Sequence, residues 1–239
     1  MAKRLIDEGL TDYVVLFQNT GKEMPATLDF VNRCDREFGL GVVWLEYRLG
    51  NTFEVVTYET ASRDGRPFAE IIQQNKNYIP SSMARYCTGG MKVEVAKKYI
   101  KSLGHEQYST YLGIRYDEPR RVAKIKASKR PRYEDVYMPL YDWGVTKKDV
   151  LNWWSEQSFD LQVKEPYGNC DCCFLKGKGL LARIAKENPS LMDWWIEQEK
   201  TSGRTFKNGI SYEQIKNVAQ SQPGLFDEDP SFECFCNID

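Results

Sequence analysis

The stretch YVVLFQNTGKEMPATLDFVNRCDREFG, from Tyr13 to Gly39, decides the predicted fold. YVVLFQ is a continuous apolar run, which is typical of a strand buried on both faces of a sheet. NTGKE predicts a turn, and the next residues predict a helix, since Leu28, Val31 and Cys34 recur at helical spacing. A strand that leads through a short turn into a helix is the unit of parallel sheets with crossover helices.

The neighbouring segments continue this alternation. MAKRLIDEG predicts a helix before the first strand, VVWLEYR (Val42 to Arg48) a second strand, and TFEVVTYE a third candidate strand. Further along, a helix is predicted from about Met91 to Leu103 and an apolar strand from Ser109 to Arg115. TKKDVLNWWSEQ predicts a helix capped by Thr146, with Asp149 three residues later. We therefore expect an α/β fold, with a parallel sheet flanked by helices.

Composition excludes several classes of protein. The 239 residues carry 33 Lys and Arg against 34 Asp and Glu, so there is no global charge signature of a nucleic-acid binder. No apolar run approaches the roughly 20 residues that span a bilayer, and the first residues contain no secretory signal. We expect a cytoplasmic protein without a membrane partner. The single histidine, His105, argues against hydrolases and metal sites that are built on several histidines.

Five of the seven cysteines fall in two places, GNCDCCFLK from Gly168 and CFC near the C-terminus. Four of them form closely spaced pairs whose thiolates could together bind zinc or an iron–sulfur cluster: Cys170, Cys173, Cys234 and Cys236. The spacing does not decide between the two metals, Cys172 is a spare ligand, and reduced free thiols are the alternative. Because the sequence changes to short helices between cysteine motifs, we expect a core domain over 1–160 and a mostly helical, cysteine-containing extension over 161–239.

Three polar motifs are candidates for ligand binding. NTGKE ends the first strand, where ligands bind in open parallel sheets, or is simply a tight turn. In GIRYDEPRR, Arg115 and Arg121 could hold phosphate or sulfate by bidentate contacts, or belong to a solvated helix start. In YCTGGMK, the amides before a helix could receive an anion and Cys87 could have a lowered thiol pKa, or Cys87 is a buried structural residue.

A basic segment runs from Arg120 to Arg132, with six Lys and Arg residues between Arg121 and Arg132. Such a run could contact the phosphate backbone of a nucleic acid.

Five segments together resemble the phosphoadenosine phosphosulfate (PAPS) reductase family, and most closely its reductase-like members in bacteriophages and prophages. They are VVLFQNTGKEMPATLDFV, RYCTGGMKV, GIRYDEPRRV, PLYDWGVTKKDVLNWW and GNCDCCFLK, and they span nearly the whole chain in the family's order. The resemblance implies a Rossmann-like, adenine nucleotide alpha-hydrolase-like sheet, in the cytoplasm of a bacterium or a phage-infected cell. It also implies binding of an adenylyl nucleotide such as PAPS, APS or ATP.

The resemblance assigns roles residue by residue. Thr20, Gly21 and Glu23 match the family's TG-x-E turn beside the nucleotide, and Arg115 and Glu118 match the G-x-R-x-x-E segment that faces the phosphate or sulfate. The CT-x-x-LK segment is matched by Cys87, Thr88 and Lys92. Of these, Cys87 is the candidate catalytic thiol. The cysteine sets of the phage-type branch, which imply a [4Fe–4S] cluster or zinc, are matched by Cys170, Cys173, Cys234 and Cys236.

The sequence departs from the family at two points. The family opens with a strand and an SGG-x-x-S pyrophosphate loop, and Met1 stands where the helix after that loop would begin. This is expected if the start codon is assigned too late, or if the chain is a truncated or degenerate member. In addition, FECFCNID lacks the Glu-Cys-Gly-Leu-His context of assimilatory PAPS reductases.

Three functions follow as hypotheses. The first is PAPS or APS reduction or related sulfur transfer, in which a thiolate attacks the sulfonate sulfur. The second is ATP-dependent thiolation of a nucleic acid, of the ATP-pyrophosphatase type. The third is a degenerate, non-catalytic nucleotide-binding protein. PAPS reductase-like chemistry is the leading expectation.

Overall fold

The computed structural model describes residues 1–50, 52–128, 134–163 and 166–221, and it has mixed α/β structure. The strands are β1 Val15–Asn19, β2 Val42–Glu46, β3 Glu54–Val56, β4 Tyr108–Tyr111 and β5 Glu134–Tyr137. The helices are α1 Ala2–Asp7, α2 Pro25–Phe38, α3 Arg66–Gln74, α4 Tyr86–Thr88, α5 Glu94–Ser102, α6 Pro119–Ala127, α7 Pro139–Asp142, α8 Lys147–Ser155, α9 Lys178–Glu187, α10 Asp193–Ser202 and α11 Tyr212–Ser221. A π-helical turn, Gly89–Val93, joins α4 to α5, and a 3₁₀ turn, Pro189–Met192, precedes α10.

The first sheet has the order β1-β2-β3. β1 and β2 are parallel, in a register that pairs Val15 with Val42 and Asn19 with Glu46, and α2 is the helix between them. The α/β arrangement predicted from Tyr13 to Gly39 is therefore confirmed. β3 is an antiparallel edge strand, with Trp44 opposite Val56.

The second sheet consists of β4 and β5, which are parallel, with Tyr108 opposite Glu134 and Tyr111 opposite Tyr137. The strand predicted over Ser109 to Arg115 ends at Tyr111, and the backbone then turns, with Ile114 N donating to Leu112 O. Within the described ranges these two sheets are separate. A single Rossmann-like sheet therefore stays a prediction.

The apolar run of β1 is less buried than the sequence indicates. Val15, Leu16 and Phe17 are only half-buried, whereas Asn19 and Thr20 at the carboxyl end of the strand are buried. The prediction of a strand covered on both faces is wrong for the apolar residues, because β2 is the one strand that pairs with β1 in the described part of the sheet.

The largest hydrophobic core joins the first sheet to the C-terminal helices. Leu45 of β2, Phe68 of α3 and Met91 contribute from the N-terminal side, and Leu180 and Trp195 from the C-terminal side. Since one core contains residues from both sides of position 160, the helices α9 to α11 are packed directly on the sheet layer. The division into two domains stays a prediction. No helix in the described residues combines the length and apolar character needed to cross a membrane.

The segment YCTGGMK is helical, which corrects the expectation of a turn before a helix at Met91. The helix begins at Tyr86, and Thr88 N already donates to Arg85 O. Gly90 packs against α3, where an added Cβ would lie 2.5 Å from Ile71 Cδ1. Glycine there lets the helix approach α3 closely, so it serves packing and not a turn.

Candidate functional site

The turn NTGKE, after β1, is closed by its own side chains. Thr20 N and Thr20 Oγ1 donate to Glu23 Oε2, at 2.9 and 2.8 Å. Gly21 N donates to Asn19 Oδ1, and Lys22 N to Thr20 Oγ1. Thr20, Gly21 and Glu23 are buried, and the amides of residues 20 to 22 all donate to acceptors within the turn. This turn does not have the form of a phosphate cradle, although its predicted place at the end of a parallel strand is correct.

The cysteine loop of residues 168–173 lies directly on this turn. Asp171 N donates to Lys22 O and Met24 N to Asn169 O, which makes a short antiparallel bridge between Glu23 and Cys170. The Lys22 ammonium forms a buried ion pair with Asp171, with 2.7 Å from Nζ to Oδ2. Two segments far apart in the sequence are thus joined at the carboxyl end of β1.

Two tryptophans of α10 contact this ion pair. Trp195 Nε1 donates to Asp171 Oδ1 at 2.8 Å, and Lys22 Nζ lies 5.3 Å from the ring centroid of Trp194. Gly65 has a φ of +83° and lies against the indole of Trp194, where an added Cβ would lie 2.5 Å from Nε1. A buried ion pair is stable when further hydrogen bonds satisfy its remaining polar atoms, which is what Trp195 does here.

Lys92 interacts electrostatically with three candidate thiols, those of Cys87, Cys170 and Cys173. It lies on the π-helical turn, a feature that often marks functional sites. Its Nζ is 3.7 Å from Glu23 Oε1, a buried oxygen to which no hydrogen bond is assigned. Burial by itself would lower the pKa of Lys92, but Glu23 and the thiols of Cys170, Cys87 and Cys173 outweigh it and raise that pKa.

The three thiols differ in exposure. Cys170 is half-buried, Cys173 is buried, and Cys87 is half-buried on the first turn of the helix. Burial raises the pKa of the Cys87 thiol, and the opposing effects of Lys92 and Thr88 do not reverse it. The lowered pKa expected for Cys87 at a helix start is therefore not observed. Its catalytic role stays a prediction.

Cys172, by contrast, is part of the protein interior. It is 0% exposed, and burial raises its thiol pKa well above the ordinary value. Its carbonyl oxygen accepts a hydrogen bond from the hydroxyl of Tyr212 at 2.7 Å. It therefore anchors the cysteine loop to α11.

The structure describes two of the four predicted metal ligands, Cys170 and Cys173. Cys234 and Cys236 lie outside the described residues. Among the residues that the structure does describe, no group of three His, Cys, Asp or Glu side chains could hold a metal ion. Thiols are the donors that zinc and iron–sulfur clusters prefer. Cys170 and Cys173 thus fit such a site chemically, but they supply only part of a ligand set, and the metal stays a prediction.

In the GIRYDEPRR segment, the arginines form ion pairs with carboxylates of the same segment. Arg115 Nε lies 3.0 Å from Asp117 Oδ1, and its Nη1 lies 3.4 Å from Glu118 Oε2. Arg121 also forms an ion pair with Glu118, whose side chain is buried at the N-terminus of α6. An anion bound here would have to compete with two carboxylates. Nucleotide binding by Arg115, Glu118 and Arg121 stays a prediction.

A polar network at the end of β2 was missed by sequence reasoning. Glu46 is 0% exposed and accepts hydrogen bonds from Asn19 Nδ2 at 2.6 Å and from Ser62 N at 2.6 Å. Arg48 Nη2 pairs with it at 2.5 Å. The signal in the sequence was a lone acidic residue ending an apolar strand, at the register partner of Asn19. This network holds β1 to the loop before α3.

Comparisons with known proteins give distant relatives whose names assign no function. The chain is 28% identical over 190 residues to the "Uncharacterized nin region protein ORF290" of Escherichia phage lambda. It is 24% identical over 212 residues to the "Uncharacterized protein MJ0973" and 24% over 197 residues to the "Uncharacterized protein MJ0066", both of Methanocaldococcus jannaschii.

These alignments cover 75%, 85% and 77% of the chain, but only 62%, 44% and 35% of the three relatives. The chain therefore matches less than two thirds of the length of each. No family model matches the chain, and no solved structure matches it.

Proposed function

We propose that the protein carries out sulfur transfer on an adenylyl sulfonucleotide, PAPS or APS, at a thiol centre formed by Cys87, Cys170 and Cys173 around Lys92. The observation that carries the proposal is that Lys92 Nζ lies 3.7 Å from Glu23 Oε1, and that Glu23 is the residue bridged to Cys170. The three thiols come from two distant segments, and the Glu23–Cys170 bridge holds those segments together. A cation near thiols favours the thiolate, which is the nucleophilic form.

The difference in exposure between Cys170 and Cys173 indicates which of the two thiols reacts first. Cys170, the more accessible thiol of the pair, attacks the sulfonate sulfur as a thiolate. The bond between that sulfur and the phosphate oxygen breaks, and the adenosine phosphate leaves with the electron pair. Cys173 then attacks Sγ of Cys170, so that sulfite leaves and a Cys170–Cys173 disulfide forms. The two thiols are oxidised, the sulfur is reduced to sulfite, and the thiol proton passes to solvent.

A zinc ion or iron–sulfur cluster on the same thiols is an alternative to this chemistry, because thiolates held by a metal could not also form the Cys170–Cys173 disulfide. It would require Cys234 and Cys236 in addition to Cys170 and Cys173. Such a group would hold the loop of residues 168–173 in place and favour thiolate over thiol.

Single-turnover reaction of the reduced full chain tests this proposal. The protein is mixed under nitrogen with PAPS or APS and no added reductant, and sulfite, adenosine phosphate and disulfides are measured. We expect stoichiometric sulfite and a Cys170–Cys173 disulfide, with both lost in Cys170→Ser. Cys34→Ser is the matched control, because Cys34 lies on α2. Absence of sulfite with both nucleotides, or full release by Cys170→Ser, would contradict the proposal.

A second candidate is ATP-dependent thiolation of a nucleic acid, which the basic segment Arg120 to Arg132 favours. ATP cleavage in this reaction would release pyrophosphate, and only when an acceptor nucleic acid is present. Pyrophosphate release that requires added tRNA or single-stranded DNA would support this candidate. Sulfite release without any nucleic acid would support the first one.

A further inference from the structure

A buried lysine follows the cysteine loop and takes no part in the reaction proposed above. Lys176 is 0% exposed, and its ammonium donates a hydrogen bond to the carbonyl oxygen of Tyr167. Burial of a charged group is unfavourable unless hydrogen bonds replace its contacts with water. Because the ammonium is removed from water, this hydrogen bond is one that the folded protein maintains.

Lys176 joins the two ends of the segment that carries the thiols. Its side chain binds Tyr167, nine residues earlier, and its amide donates to Cys173 O at 2.9 Å. Tyr167 itself is buried in the largest hydrophobic core, as is Phe174. Both Cys170 and Cys173 lie between the residues that these contacts join, so Lys176 closes the segment into a ring of covalent and hydrogen bonds.

The two thiols are held by different contacts. Residues 169–171 form backbone hydrogen bonds with residues 22–24 of the turn after β1, and Cys170 lies among them. The carbonyl of Cys173 is instead bound by the amide of Lys176. The position of Cys173 relative to Cys170 therefore depends in part on Lys176 and on the carbonyl that its side chain binds.

We infer that Lys176 is a positioning residue, which holds Cys173 where it can attack Cys170 in the second step of the reaction. It acts through the backbone of the loop and not on the reacting atoms. An attack within one molecule becomes more favourable as the freedom of the two groups is removed beforehand. This role rests on the proposed function, since it concerns the Cys170–Cys173 disulfide, but its first test needs no nucleotide.

Disulfide formation in glutathione redox buffers is that first test. The reduced full chain is equilibrated under nitrogen with mixtures of reduced and oxidised glutathione, and the Cys170–Cys173 disulfide is measured by mass spectrometry. In this exchange the two protein thiols are oxidised, and oxidised glutathione is reduced to its thiol. Lys176→Met keeps an apolar side chain without a donor. It should lower the equilibrium constant for disulfide formation by about tenfold, because a hydrogen bond from a charged group contributes about that much.

Further variants separate positioning from charge. Lys176→Arg keeps a charged donor and should form the disulfide nearly as well as the wild type. Lys178→Met, at an exposed residue that begins α9, removes the same charge and should match the wild type. If Lys176→Met does not fold, as judged by circular dichroism, Lys176→Gln decides, because its side chain is shorter than that of lysine.

Single-turnover reaction with PAPS or APS gives a second readout. Release of the adenosine phosphate depends on attack by Cys170 and should be unchanged in Lys176→Met. Sulfite release depends on attack by Cys173 and should slow by about tenfold in the same variant. Cys170 should then accumulate as its S-sulfonate, which mass spectrometry detects. A general structural role of the lysine would slow both steps.

Equal equilibrium constants for disulfide formation in Lys176→Met and the wild type would overturn this role and leave the proposed function intact. Equal slowing of adenosine phosphate and sulfite release would also overturn it. A wild type that forms the disulfide but releases no sulfite would contradict the proposed function, and the redox equilibrium alone would then decide the role of Lys176. Absence of a Cys170–Cys173 disulfide in every redox buffer would contradict both.

Discussion

The ammonium of Lys22 and the carboxylate of Asp171 form an ion pair whose side chains are only 8% and 4% exposed. The pair fastens the turn after β1 to the loop that carries Cys170, Cys172 and Cys173. It therefore places two of these thiols beside Lys92, on a helix that comes from a third part of the chain. The ion pair acts together with the backbone hydrogen bonds between residues 22–24 and 169–171, which fix the same loop on the turn.

Asp171→Ala should destabilise the protein by about 3–5 kcal/mol, because it leaves the Lys22 charge buried without its partner. It also removes the acceptor for Trp195 Nε1. Urea unfolding measures the change. The control is Glu213→Ala, which breaks the exposed pair with Lys200 and should cost no more than about 1 kcal/mol. Equal effects of the two variants would mean that the buried pair is not structural.

Lys22→Met should make stability depend on pH in a defined direction. Burial raises the pKa of Asp171, and Lys22 acts against this rise, so removal of Lys22 raises the pKa further. The folded state then binds a proton that the unfolded state releases near pH 4. Stability of the variant should therefore fall, relative to the wild type, as pH rises through the folded pKa, and recover as pH is lowered.

Urea unfolding of Lys22→Met between about pH 4 and 8, beside Lys200→Met as an exposed control, measures this dependence. A variant whose stability relative to the wild type rose with pH would show that Asp171 is not held in an environment that disfavours its charge.

Gly65→Ala should destabilise the protein by about 2 kcal/mol or more. The new methyl group would lie within 2.8 Å of Lys22 Cδ and closer still to Trp194, in addition to the positive φ of this residue. Gly144→Ala is the matched control. Gly144 has a φ of +67°, but an added Cβ there would have no atom within 4 Å, so this substitution should cost only backbone strain. A thermal unfolding comparison separates the two effects, and equal losses would refute the contact between Gly65 and Trp194.

Cys34 should react with iodoacetamide only at high pH. Burial raises the pKa of its thiol to about 11, and only the thiolate reacts. Its modification rate, followed by mass spectrometry of its peptide, should rise up to about that pH in the folded protein. In urea the same thiol should react near its ordinary pKa. A half-maximal rate near pH 8.5 in the folded protein would disprove the burial of Cys34.

The local parts of the fold follow from sequence patterns. The strand, turn and helix from Tyr13 to Gly39 and the capping box of Thr146 with Asp149 are confirmed, since each depends on residues that are neighbours in the chain. The antiparallel β3 and the early helix start at Tyr86 were not foreseen. In this helix Gly90 lies against Ile71 of α3, a contact that no local pattern contains.

The site could be predicted only as a set of separate motifs. Sequence reasoning identified Glu23, Cys87, Lys92 and Cys170 as candidates but assigned the first three to a nucleotide or catalytic role and Cys170 to a metal. The turn and the cysteine loop are brought together by the backbone bridge of Glu23 with Cys170 and by the Lys22–Asp171 pair, and neither member of that pair was a candidate. An ion pair between distant segments leaves no periodicity or spacing in the sequence.

Replacement of Lys92 tests the thiol centre most directly. Alkylation rates of all described cysteines are measured by mass spectrometry at pH 8 in wild type, Lys92→Met and the control Lys98→Met. If the charge of Lys92 stabilises the thiolates beside it, its loss slows their reaction severalfold, most visibly at the accessible Cys170, while the rate at Cys34 is unchanged. A Cys170 rate that is the same in Lys92→Met and the wild type would contradict the existence of this centre.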